Sequence, residues 1–116
     1  MPPREWRLRI EDVLDAIAKI ERYVQGLTFE EFQADEKTID AVVRNLEVIG
    51  EAVRHLSADS EPLASTIPWA DIAGMRNILI HEYFGVDLQI IWQTISSDLP
   101  TLKVELQGLL GITGST

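Results

Sequence analysis

The chain has 116 residues, 46% of them hydrophobic and 25% charged, with 19 acidic side chains against 10 basic ones and a formal net charge of −9. That is the size and balance of one globular domain, and the acidic surplus argues against broad electrostatic binding of nucleic acid, which needs a basic surface. There is no cysteine, which excludes disulfides, thiolate metal sites and cysteine nucleophiles. Residues 6 to 25 carry Ile10, Val13, Leu14, Ile17, Ile20 and Val24 at close to a 3.6-residue period, so a first amphipathic helix is expected, stopped at Gly26. Thr28-Phe-Glu-Glu31 fits a capping box and predicts a short helical turn. Asp35 is placed to cap a longer helix running to about residue 57, with the stripe Ile39, Val42, Val43, Leu46, Ile49, Gly50, Val53 and Leu56. Residues 57 to 68 are rich in turn formers and read as a loop.

Pro68 opens a further helix expected to end near Gly85. Asp87 can cap the next, residues 88 to 97, and Pro100 either starts another turn set or kinks one long helix. The stretch from Gly108 to Thr116 is Gly-rich and expected to fray. Trp6, Trp69 and Trp92 sit at helix starts or apolar positions and are read as core. The expectation is an all-α bundle of four to five helices in a single domain, residues 1 to 110, followed by a flexible tail, 111 to 116. The first residues contain no long apolar run, and no stretch approaches about 18 apolar residues, so a cytoplasmic protein without a membrane span is expected.

Residues 76 to 83, Arg-Asn-Ile-Leu-Ile-His-Glu-Tyr, form an R-x-x-x-x-H-x-Y pattern that holds one of the two histidines. Arg76 is a permanent cation for phosphoryl oxygens, His81 titrates near neutrality and can move a proton, and Tyr83 can position or accept a group. These are tools for phosphate chemistry without a metal. On an ideal helix Arg76 and Tyr83 lie about 20° apart, while Arg76 and His81 diverge by about 140°. Asn77 shares the face of His81. One straight helix does not aim Arg76 and His81 at a single phosphate. A helix end near His81, a long reach by Arg76, or two copies meeting across a two-fold axis would each resolve this. Apolar groups nearly encircle the segment (Ile72, Ala73, Met75, Ile78, Leu79, Ile80, Phe84), which suggests a dimer interface. The plain alternative has Arg76 paired with an acid, His81 capping a helix C-terminus and Tyr83 half-buried.

The charged stripe of the third helix is Asp40, Arg44, Glu47, Glu51, Arg54 and His55. It reads as a solvated face with i,i+3 and i,i+4 pairs, except that Glu47 and Glu51 are like charges at i,i+4 and call for a cation between them, for which Arg76 is a candidate. Two histidines without a convergent carboxylate pattern do not make a metal site, and no cofactor is expected.

The order Arg44-Asn-Leu-Glu-Val-Ile-Gly-Glu-Ala52, Ile67-Pro-Trp69, Gly74-Met-Arg-Asn-Ile-Leu-Ile-His-Glu-Tyr-Phe84, then Leu88 to Pro100 with Trp92 resembles the HepT-like branch of the HEPN superfamily, over roughly residues 5 to 110. The resemblance implies a helical bundle that forms a homodimer with the motif facing a cleft at the interface. It also implies a metal-independent endoribonuclease that acts as the toxin of a toxin–antitoxin pair. Its partner would be a minimal nucleotidyltransferase antitoxin of the MntA kind, able to transfer AMP to the motif tyrosine. Carried across, the motif arginine, histidine and tyrosine are Arg76, His81 and Tyr83, with Tyr83 the AMP acceptor. Arg44, Asn45 and Glu51 match the family's other polar block as supporting residues. Asn77, from its place on the His81 face, is a further supporting candidate that would orient the imidazole or the phosphate. The substrate would be RNA. The alternative function is a non-catalytic module that binds a nucleotide or the partner and in which Tyr83 is modified. A purely structural dimerisation domain is the third reading.

Overall fold

The structure is a computed structural model. It describes the backbone of residues 3–59 and 88–111 and the side chains of residues 7–54 and 88–111. Every regular element among these residues is helical: α1 (Pro3–Val24), α2 (Phe29–Gln33), α3 (Glu36–Asp59), α4 (Leu88–Gln93), a π-helical turn (Thr94–Asp98) and α5 (Leu99–Leu110). The all-α expectation holds.

Local chemistry explains the boundaries. α1 ends at Val24, and Gly26 follows with φ +79°, a left-handed conformation that glycine adopts without a Cβ penalty. The reversal into α2 is closed by the capping box. The Glu31 backbone N–H donates to Thr28 Oγ1 (3.1 Å), and the Thr28 N–H donates to Glu31 Oε1 (2.9 Å). At the start of α3 the Thr38 N–H donates to Asp35 Oδ1 (3.1 Å) and the Thr38 hydroxyl to Asp35 Oδ2 (2.7 Å), so Asp35 is the predicted cap. α3 runs to Asp59, two residues beyond its expected end.

The long helices α1 and α3 pack along one another, and α5 packs on α1. Their shared core is the predicted set of apolar stripes. Ile10, Val13, Ile17 and Ile20 of α1 meet Val42, Leu46, Ile49 and Val53 of α3, all essentially without solvent contact. Burying each such side chain contributes about 1.5–3 kcal/mol before conformational entropy is charged against it. Leu99, Leu102, Leu106 and Leu110 bring α5 to the same core. Lys103 Nζ donates to Glu21 Oε1 (3.1 Å) and ties α5 to the C-terminal end of α1.

One expectation is met at the C-terminal end and one changes. Pro100 sits in the first turn of α5, near the start of a further helical element as expected. The π-helical turn lies directly before it, and the Leu99 N–H bonds back to the Thr94 carbonyl five residues away. A proline supplies no N–H and crowds the carbonyl four residues earlier, and the wider turn absorbs that mismatch while the chain remains helical into α5. Gly108, expected to fray, lies inside α5. The helix ends at Gly111, with φ +75° and its N–H on the carbonyls of Gln107 and Gly108. Trp92 is half-buried against Phe32 (ring centroids 5.0 Å) and Phe29 (6.1 Å), as expected of a core tryptophan. Trp69, the helix opened by Pro68, the Asp87 cap, the motif segment with Gly85, residues 60–68 of the expected loop, residues 112–116, and the side chains of Trp6 and His55 lie outside the described residues.

Candidate functional site

Arg76, Asn77, His81 and Tyr83 lie outside the described residues. What the structure describes is the second polar stretch singled out in the sequence, on α3. Arg44, Glu47, Val48, Glu51 and Ala52 are spaced i, i+3, i+4, i+7 and i+8, which places them on one helical stripe. With Arg9 and Asp12 of α1, themselves i and i+3, they line an open groove of about 350 Å³ between the two helices. Its floor is apolar, formed by half-buried Val48 and buried Ala52, and its rim carries three carboxylates and two guanidinium groups.

Of the three supporting residues expected on α3, the fold brings two together. Arg44 is exposed and Glu51 half-buried in the same groove. Asn45 is not among the groove's lining residues. It is buried, and its Nδ2 donates to the Ala41 carbonyl one turn back (2.9 Å), a local bond that ties the amide to its own helix.

Glu51 is held in a defined orientation. Its Oε2 accepts from Arg54 Nη2 at 3.0 Å, and its Oε1 is shielded from solvent. The close pairing of Glu47 with Glu51 therefore has cations on hand within the described residues: Arg54 bonded to Glu51, and Arg9 and Arg44 lining the same groove. Elsewhere on the stripe, Asp40 and Arg54 are exposed, as a solvated face requires.

Arg9 and Asp12 were not singled out from the sequence. Their only signal is position: Arg9 directly precedes Ile10, and Asp12 directly precedes Val13, of the buried α1 stripe. A charged residue flanking a buried stripe lies beside whichever helix covers that stripe, but the sequence does not say which helix that is. In chemical terms the groove offers guanidinium donors, carboxylate acceptors and an apolar floor. Such a surface suits a flat polar group that carries both an anion and N–H donors. Among the described residues no three acidic or histidine side chains cluster as a metal site would, and no helix is long and apolar enough to cross a membrane.

Comparison with known proteins gives a consistent result along nearly the whole chain. The sequence pattern of the family described as "Ribonuclease HepT-like" matches residues 13–109. A protein of Thermococcus cleftensis named "Probable ribonuclease HepT" is 44% identical over 100 residues, covering 86% of this chain and 91% of that protein. A protein of Caldanaerobacter subterraneus subsp. tengcongensis named "Putative RNase TTE0752" is 43% identical over 101 residues, 87% of this chain and 90% of that protein. One of Methanocaldococcus jannaschii, "Putative RNase MJ0127", is 37% identical over 110 residues, 95% of this chain and 91% of that protein. No solved structure matches the chain.

Proposed function

The chain belongs to the HepT-like ribonuclease family, and from that premise we propose that it is an endoribonuclease toxin whose chemistry is carried by Arg76 and His81. The observation that carries the reading is the family match across residues 13–109 of a chain that holds the complete R-x-x-x-x-H-x-Y pattern at 76–83. RNA brings its own nucleophile. The 2′-hydroxyl attacks the adjacent phosphorus and its proton is taken up as the new P–O bond forms. The bond to the 5′-oxygen breaks, and that oxygen receives a proton. The products are a 2′,3′-cyclic phosphate and a 5′-hydroxyl. His81 performs one of the two proton transfers, Arg76 stabilises the charge that builds on the phosphoryl oxygens, and Asn77 orients the imidazole or the phosphate. Arg76 and His81 point about 140° apart on an ideal helix, so the second proton-transfer group comes from a partner copy in a homodimer whose interface includes the motif segment. The mechanism uses no metal and no cofactor.

Silencing follows from the same motif. A nucleotidyltransferase antitoxin transfers AMP from ATP to the Tyr83 oxygen and releases pyrophosphate. The new phosphodiester is an anion beside Arg76 and His81, which it neutralises and obstructs. The net charge of −9 favours a second reading, in which the chain cuts no RNA and serves as a binding module with Tyr83 as its AMP acceptor.

Expression in cells separates the two. Wild type is expected to arrest growth and produce new RNA fragments, and His81→Ala and Arg76→Ala, at equal soluble protein level, are expected to do neither. Loss of one proton-transfer group lowers the rate by about 10²–10⁴-fold. Fragments that persist in His81→Ala would contradict the assignment. With partner and ATP, intact mass should rise by one AMP in wild type and not in Tyr83→Phe.

A further inference from the structure

We infer that the groove between α1 and α3 is a nucleotide subsite of the RNA substrate, which reads guanine through Glu47 and holds a phosphate through Arg9 and Arg44. The inference rests on the reading of the chain as an RNA-binding protein and adds a specificity determinant to it. Two independent observations carry it. First, the groove has the volume of a small-ligand site, about 350 Å³, against roughly 300–1,000 Å³ for such sites in general, and its Val48 and Ala52 floor is an apolar surface for the face of a base. Second, its charges do not neutralise one another. Among the described residues Arg9, Asp12, Arg44 and Glu47 make no side-chain hydrogen bond or ion pair, although both signs line one groove. Glu51, by contrast, is bonded to Arg54 and belongs to the frame rather than to the reading group.

The balance of charge selects the ligand. With Glu51 bonded to Arg54, the two carboxylates of Asp12 and Glu47 balance the two guanidinium groups of Arg9 and Arg44, so a bare phosphate meets as much negative as positive charge there. A nucleotide that adds N–H donors to its phosphate satisfies both signs. Among the four bases guanine alone presents two parallel donors, N1–H and the N2 amino group, which match the two oxygens of one carboxylate. Adenine and cytosine offer an amino group beside an acceptor nitrogen, and uracil a single N–H between two carbonyls. Of the two carboxylates without a partner, Glu47 is half-buried and Asp12 exposed, so Glu47 is the one assigned to accept from that edge.

The test uses the full chain carrying His81→Ala, so that RNA is bound and not cut, and three fluorescein-labelled heptamers of uridine with guanosine, inosine or adenosine at the centre. Inosine lacks only the N2 amino group. The guanosine heptamer should bind about 10-fold tighter than the inosine one, the worth of one hydrogen bond to a charged group. Adding Glu47→Gln should abolish that difference, and Arg44→Ala should weaken all three heptamers alike. Thermal melts verify that each variant is folded. Equal affinity for guanosine and inosine overturns the inference, as does a preference that survives Glu47→Gln. An absence of RNA binding does so too, and would point to a protein segment of mixed charge as the occupant. Cleavage by the wild type is scored separately. If it cuts no RNA but the guanosine preference stands, the ribonuclease reading falls and the subsite remains.

Discussion

At Asp35 one carboxylate accepts from both the backbone N–H and the hydroxyl of Thr38. The hydroxyl bond, then the backbone bond, hold its carboxyl below the ordinary value of 3.8. A lowered folded-state value means that the cap's contribution is complete above the unfolded value and is lost as pH falls through the lower folded one. Asp35→Asn keeps a capping oxygen and removes the titration. The wild type should therefore lose melting temperature faster than Asp35→Asn below about pH 4, by thermal denaturation followed with circular dichroism. Parallel curves would show that the cap's charge is irrelevant. This cap and the Thr28–Glu31 box were legible in the sequence because each is settled within four residues of chain. Arg9 and Asp12 were not, because their role depends on where α3 crosses α1, which no local pattern encodes.

Among the described α-helices, α2 is the shortest and cannot stand alone. Five residues are far too few for an isolated helix, so its order comes from the capping box and from Phe32. That side chain is fully buried, and its ring lies 5.0 Å from Trp92 of α4. Phe32→Ala should cost about 3–5 kcal/mol in a urea titration, a large share of the roughly 5–15 kcal/mol by which such a domain is stable. A loss under about 1 kcal/mol would mean that α2 is not anchored through this residue. The long helices were readable from their apolar periods, which dictate the buried stripes of α1 and α3 whatever their partners. The run from Leu88 to Leu110 was less so. The sequence shows Pro100, but whether a proline breaks a helix or is absorbed by a π-helical turn depends on packing. Here Ile95, Leu99, Leu102 and Leu106 bury against the core on both sides of it, and that burial favours continuing the helix.

For the molecule as a whole, the net charge of −9 and the proposed binding of RNA pull in opposite directions. They are compatible if contact is confined to a few arginines. With one phosphate on Arg9 and Arg44 and one on Arg76 of one protomer, the logarithm of affinity should fall against the logarithm of salt with a slope of about −1.4, at roughly −0.7 per phosphate on a single strand. A slope steeper than about −5 would require an extended basic track that this composition does not supply. The family and the motif were legible because they are matters of residue order. Whether Arg76 and His81 act on one phosphate was not, because ideal helical geometry separates them and the proposed remedy lies in a second copy of the chain.

The most direct test of the central claim is cleavage of a 5′-labelled RNA by purified protein, with the ends of the products identified and His81→Ala run alongside. The wild type should leave 2′,3′-cyclic phosphate and 5′-hydroxyl ends, His81→Ala should leave none, and no cut should occur where a 2′-deoxynucleotide replaces the nucleophile. Equal cleavage by His81→Ala, or 3′-hydroxyl products from a strand lacking the 2′-hydroxyl, would contradict it.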